Sequence, residues 1–113
     1  MGAAGGLLLD LDGTVYFGDD PIPGAADAIE QLRRAGVPMC FATNTTRRPR
    51  SDLVSRLESM GIEVIAEELF TAPVAAARWL AGVGATRVSL LLAEPAFEEF
   101  EDFVTPYLDE GVG

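Results

Sequence analysis

The sequence predicts an α/β fold, a mainly parallel sheet flanked by helices, on three observations. Short continuous apolar runs alternate with segments whose apolar residues recur at helical spacing, in the order β-α-β-α-β-α-β-α. The first two runs, at residues 7–9 and 37–42, both end in polar clusters, as strands do when they deliver residues to one edge of a sheet. The chain's 113 residues, 49% of them hydrophobic, suit one compact core.

Leu7-Leu8-Leu9, stopped by Asp10, reads as a strand buried on both faces. A loop follows, punctuated by Gly13 and Gly18, and residues 19–23 lead out of it. Ala25, Ala28, Ile29, Leu32 and Ala35 mark one face of a helix, with Arg33 and Arg34 complementing the dipole of its last turn and Gly36 as its stop. Residues 37–42 read as a second buried strand with Pro38 at its start and Cys40 in the core. From about Ser51, Leu53, Val54, Leu57 and Met60 define a second helix closed by Gly61. Leu69 and Phe70 form a short strand, Thr71 an N-cap, and Pro73 the first turn of a helix reaching about Leu80, under which Trp79 is expected to pack. Residues 87–93 read as a further strand. Residues 95–104 read as a helix with Phe97, Phe100, Phe103 and Val104 inward and Glu98, Glu99, Glu101 and Asp102 on a solvated face.

Composition narrows the chemistry. The chain has no histidine, no lysine and one cysteine. That removes Ser-His-Asp and Cys-His triads, histidine metal sites, Schiff bases and a phosphate-binding P-loop lysine. Carboxylates, hydroxyls, arginines and backbone amides remain. A lone Cys40 forms no internal disulfide, so a cytoplasmic protein is expected. The first ten residues lack the basic region of a signal peptide, and Gly6 stands where a myristoylation signal takes Ser or Thr. The most apolar stretch, residues 71–93, is interrupted by Pro73, Arg78 and Arg87, so no membrane partner is expected. The net charge of −10 is uneven: residues 1–93 hold 11 acids against 8 arginines, and residues 94–113 hold 7 acids and no base. The one basic cluster, Arg47, Arg48 and Arg50, reads as a solvated turn, and no nucleic-acid partner is expected.

The polar clusters carry the candidate chemistry. In Asp10-Leu11-Asp12-Gly13-Thr14, residues two apart face the same way, so the carboxylates of Asp10 and Asp12 can converge while Leu11 enters the core. Two such carboxylates coexist if Mg²⁺ lies between them or if one is protonated and serves as an acid. Gly13 permits a sharp turn, and Thr14 offers a hydroxyl or an amide. Thr43 supplies a second hydroxyl, and the amides around Asn44 and Thr45 can make an anion-binding concavity. Taken singly, these are a turn and a polar loop. Together, after successive buried strands, they outline a phosphate pocket.

The runs L-L-L-D-L-D-G-T (7–14), V-Y-F-G-D-D-P-I-P-G-A (15–25) and F-A-T-N-T-T-R-R (41–48) resemble the haloacid dehalogenase (HAD) superfamily. E-E-L-F-T-A-P-V-A-A-A (67–77) and V-S-L-L-L (88–92) are similar to its subfamily with a large cap inserted after the second motif. The resemblance implies a Rossmann-like core and Mg²⁺-dependent hydrolysis of small phosphorylated substrates through an aspartyl phosphate. Asp10 would be the nucleophile and Asp12 the acid and base. Thr43 and Asn44, with Gly13 and Thr14, would hold the phosphate, and Mg²⁺ would sit at Asp10 and Asp12. The family's third motif brings a lysine and its fourth further acidic ligands, and neither is present. The chain is therefore expected to stop inside the cap, with residues 1–85 as the first half of the core and 86–113 as the start of the cap. Two readings follow: a phosphatase impaired in this form, or a non-catalytic phosphate-, metal- or protein-binding module. A phospho-acceptor receiver domain fits less well, since it needs a lysine and lacks the D-x-D-G-T run. An incomplete core or cap would leave the phenylalanine stripe uncovered and favour homo-oligomers.

Overall fold

The computed structural model describes residues 5–105. It divides into two compact units, one made of the chain up to Thr43 with Ser51–Phe70, the other of Asn44–Arg50 with the chain from Thr71 onward. Residues 1–4 and the acidic tail at 106–113, with the part of the expected cap that falls there, lie outside the described residues.

The first unit is built on a three-stranded sheet. Strand β1 (Leu7–Asp10) runs parallel to β4 (Met39–Thr43), with Leu7 opposite Met39 and Asp10 opposite Ala42, and β5 (Leu69–Thr71) lies on the other side of β4. Helix α1 (Ala25–Arg34) connects towards β4, and α2 (Arg50–Ser59) towards β5, the alternation expected of an α/β sheet. The core gathers Leu11, Val15, Phe41, Leu53, Leu57 and Ile62 among its buried residues.

Several boundaries shift for local reasons. The second strand starts at Met39 rather than residue 37, because Val37 belongs to the end of α1. Its N–H donates to Leu32 O at 3.1 Å, while Gly36, at φ 76°, donates to Arg33 O at 2.9 Å. That is a Schellman closure, and it leaves Pro38 to enter the strand. The first strand is not buried on both faces: Leu8, on one face, is 72% exposed, while Leu7 and Leu9, on the other, are partly buried against the core. Cys40 is half-buried rather than in the core. The loop expected after Asp10 holds a small antiparallel hairpin, β2 (Tyr16–Phe17) and β3 (Asp20–Pro21), turned at Gly18 and Asp19. Gly18 has φ 61°, as a tight hairpin turn of this length requires.

An ion pair ties α1 to the turn that precedes β5. Arg33 Nη1 and Nη2 donate to the two carboxylate oxygens of Glu68 at 2.7 Å each, and Nη2 also reaches Glu63 O at 2.8 Å. These hydrogen bonds hold the Glu68 carboxyl below the usual carboxylate range against the opposing effect of burial, and a bond from the Ile65 N–H adds to them. A depressed carboxyl stabilises the fold above its unfolded value of about 4.3 and loses that contribution as pH falls through the lower folded value. Glu68→Gln is expected to cost about 1–2 kcal/mol near pH 7. Urea midpoints of wild type and variant should converge as the titration is repeated at successively lower pH, and a gap that stayed constant with pH would refute the assignment.

In the second unit, Thr71 caps α3 (Ala72–Gly82) as expected, its Oγ1 accepting from the Val74 N–H at 3.2 Å. Trp79 does not pack under this helix and is 65% exposed. The inward stripe is Pro73, Val74, Ala77 and Leu80, and Trp79 lies off it. No strand forms over residues 87–93. A strand needs a neighbour, and among the described residues this stretch has only the bridge from Arg87 to Val104. Residues Glu94–Phe100 form a 3-10 helix rather than the expected α-helix. Like charges at Glu94/Glu98 and Glu98/Asp102 would fall four residues apart on an α-helix and oppose it. Ala96 and Phe100 are buried, Phe97 and Phe103 half-buried, and Val104 exposed, so the expected inward stripe is only partly inward. Glu99 leaves the expected solvated face altogether. Its side chain is 4% exposed, and its oxygens accept from the Arg50 N–H at 2.8 Å and from Arg50 Nε at 3.1 Å. Arg47 and Arg48 are at the surface, as a solvated turn requires.

Candidate functional site

Two strands of the first unit end at the same edge of the sheet. Because Asp10 is level with Ala42, Thr43, the last residue of β4, stands level with Leu11. Leu11 is fully buried, while Asp10 and Asp12 on either side of it are exposed. Leu11 is thus an apolar anchor between two carboxylates left at the surface, and Thr43 ends the adjacent strand.

The turn that follows is held by its own main chain. Leu11 O accepts from the N–H groups of Thr14 (3.1 Å), Val15 (2.8 Å) and Tyr16 (3.3 Å), and the Gly13 N–H donates to Tyr16 O at 2.7 Å. Gly13 has φ 83°, a conformation that a residue with a Cβ adopts only under strain. The amides of Gly13 and Thr14 are thus engaged within the turn, and what Thr14 presents outward is its exposed hydroxyl. The Leu11 N–H donates to Asp10 Oδ1 at 2.9 Å and orients that carboxylate. Asn44 begins the second unit, where it is exposed, and Thr45 Oγ1 accepts there from the Arg47 N–H at 3.3 Å.

Among the described residues, neither Asp10 nor Asp12 is ion-paired with an arginine. Two exposed, unpaired carboxylates are hard oxygen donors of the kind Mg²⁺ takes, since that ion is commonly bound by one or two carboxylates and completes its shell with water and phosphate oxygens. No group of three acidic, histidine or cysteine side chains able to hold a metal occurs among the described residues. As hard oxygen donors, the residues of this turn fit Mg²⁺. A groove of about 760 Å³ lies elsewhere, where α1 and α2 end, and is lined by Arg33, Glu58, Glu63 and Glu68 among others. Its arginine is already paired with Glu68, so it offers an anionic substrate little but carboxylates.

Sequence reasoning missed Tyr16, whose main chain brackets Asp12 in this turn. Strands of two residues have no periodicity to read, and a lone tyrosine in a polar loop gives no signal.

Comparison with known proteins identifies the family. Residues 7–103 match the model of the haloacid dehalogenase-like hydrolase family. The mouse haloacid dehalogenase-like hydrolase domain-containing protein 2 is 38% identical over 94 residues, which cover 83% of this chain and 36% of that protein. Among solved structures, a p-nitrophenyl phosphatase from Archaeoglobus fulgidus superposes with a TM-score of 0.81 at 29% identity, covering 89% of this chain and 40% of that one. A glycerol phosphate phosphatase from Mycobacterium tuberculosis, solved in complex with magnesium, gives 0.73 at 31% identity, covering 87% of this chain and 30% of that one. The chain thus spans well under half the length of these relatives. With the aspartate pair and the threonine at adjacent strand ends and a family match over nearly the whole length, the chain belongs to the haloacid dehalogenase-like hydrolases.

Proposed function

We propose that this chain carries the nucleophile half of a Mg²⁺-dependent phosphatase acting on small phosphorylated substrates. The observation that carries the reading is the pair of exposed, unpaired carboxylates of Asp10 and Asp12 on either side of buried Leu11, level with Thr43. Relatives described as phosphatases of p-nitrophenyl phosphate and glycerol phosphate, one solved with magnesium, support it.

On this mechanism an Asp10 carboxylate oxygen attacks phosphorus as the ester P–O bond breaks, and Asp12 donates a proton to the leaving oxygen. Asp12, now ionised, takes a proton from water. That water attacks the aspartyl phosphate, which releases inorganic phosphate and restores Asp10. The hydroxyls of Thr43 and Thr14 hold the transferred group and the Gly13 turn shapes the pocket; by the family resemblance Asn44, next in the chain, would add to the phosphate contacts. Mg²⁺ would be held by the Asp10 carboxylate and the Asp12 main-chain carbonyl, which leaves the Asp12 carboxyl free to carry its proton, and would offset the charge of the anionic nucleophile and substrate. The 113 residues contain no lysine to share that task, so turnover by this chain is expected to be slow. We assign residues 1–85 to the first half of the core and 86–113 to the start of a cap.

The test is steady hydrolysis of a small phosphomonoester with Mg²⁺, which Asp10→Asn should reduce by a factor of about 10³ or more. Thermal stabilisation by Mg²⁺ without turnover would overturn the catalytic reading in favour of a binding module.

A further inference from the structure

We propose that Arg56, in the last turn of α2, is a positioning residue that holds Asp12 in place through the hairpin β2–β3. Three observations converge on it. The guanidinium of Arg56 lies over the Tyr16 ring, 5.4 Å from its centroid. The same group donates to Gly18 O and pairs with Asp19 Oδ1 at 2.9 Å, so it grips both residues of the hairpin turn. Tyr16 in turn brackets Asp12, its C=O accepting from the Gly13 N–H at 2.7 Å and its N–H donating to Leu11 O at 3.3 Å.

The hairpin needs such support. Each of its strands is two residues long, and a two-stranded ribbon is marginal by itself even when longer. Tyr16 is 7% exposed, so its ring is a fixed platform rather than a mobile surface group. The Arg56 side chain is 21% exposed, which shields its stacking on Tyr16, whereas the Asp19 side chain is 91% exposed and its ion pair, screened by water, adds little. A guanidinium is suited to stack on a ring and donate at its edge at once, whereas an ammonium is a point charge that does not do both. Cutting the grip frees the hairpin, and with it the Tyr16 main chain that sets the turn at Asp12.

The effect on metal or substrate rests on the phosphatase reading, but the effect on the turn does not. Amide exchange in the full ¹⁵N-labelled chain tests the turn directly. Arg56→Gln is expected to speed exchange of the Gly13 amide by about tenfold, a change of about 1.4 kcal/mol in local opening. Amides of β4 should be unaffected, and Arg56→Lys should fall between. Arg34→Gln, which removes an exposed arginine paired only along its own helix with Glu30, should change neither. Titration with Mg²⁺ alone, followed at the Gly13 amide, should show a midpoint raised about tenfold by Arg56→Gln. If Mg²⁺ leaves the wild-type spectrum unmoved, the metal site is refuted while the exchange comparison still decides the role of Arg56. Unchanged Gly13 exchange in Arg56→Gln, or acceleration spread evenly through β4, would overturn the proposal. Should Arg56→Gln not fold, Arg56→Lys supplies the same comparison.

Discussion

Phe41→Ala is expected to destabilise the first unit by about 3–5 kcal/mol. Phe41 is 0% exposed and sits in β4, the central strand of the order β1–β4–β5. Its removal takes a whole ring out of the core and leaves a cavity that a sheet paired on both sides cannot collapse around. Domains of ordinary stability hold about 5–15 kcal/mol in all, so the loss is about a fifth or more of what is available. Leu8→Ala removes a side chain of similar character from the neighbouring strand, but one that is mostly in water, and should change stability by about 0.5 kcal/mol or less. Urea titration of both variants checks the contrast. A cost below about 1 kcal/mol at Phe41 would mean that the core is not packed as described.

The same contrast explains why the first half of the chain was legible and the second half less so. Leu7–Asp10, Ala25–Arg34, Met39–Thr43 and Arg50–Ser59 each pair an apolar pattern with a definite stop, at Asp10, Gly36, Thr43 and Gly61, and the structure follows them closely. That Asp10 and Thr43 stand at strand ends was readable because a break from apolar to polar is visible in one dimension. The exposure of Leu8 was not readable, because whether a face of a strand is covered depends on what packs against it and not on the strand's own residues. From residue 87 the pattern misleads for the same reason. V-S-L-L-L has the composition of a strand, yet among the described residues only Arg87 finds a bridging partner. Glu99 shows the converse failure, since an acid in an acidic run reads as solvated until an arginine 49 positions earlier in the chain is found against it. The reach of Arg56 to Tyr16, Gly18 and Asp19 is likewise a fact of three dimensions, with nothing in the spacing of α2 to announce it.

Asp12→Asn is expected to separate the two halves of the proposed reaction according to the leaving group. Asparagine keeps the size and the hydrogen-bonding capacity of Asp12, and the exposed position demands no repacking. What it lacks is a proton to give and, later, a base to receive one. An alkyl phosphate such as glycerol phosphate departs as a strongly basic alkoxide and needs that proton, so its cleavage should slow by about 10²–10⁴. An aryl phosphate such as p-nitrophenyl phosphate leaves as a stabilised phenolate, and its first step should slow much less. The second step is common to both substrates, because water attacks the same aspartyl phosphate without a base to activate it. With p-nitrophenyl phosphate the variant should therefore release a burst of p-nitrophenol approaching one equivalent per chain, followed by slow turnover, while glycerol phosphate gives no burst. Equal losses with the two substrates and no burst would remove Asp12 from proton transfer and leave it, at most, a ligand for the cation.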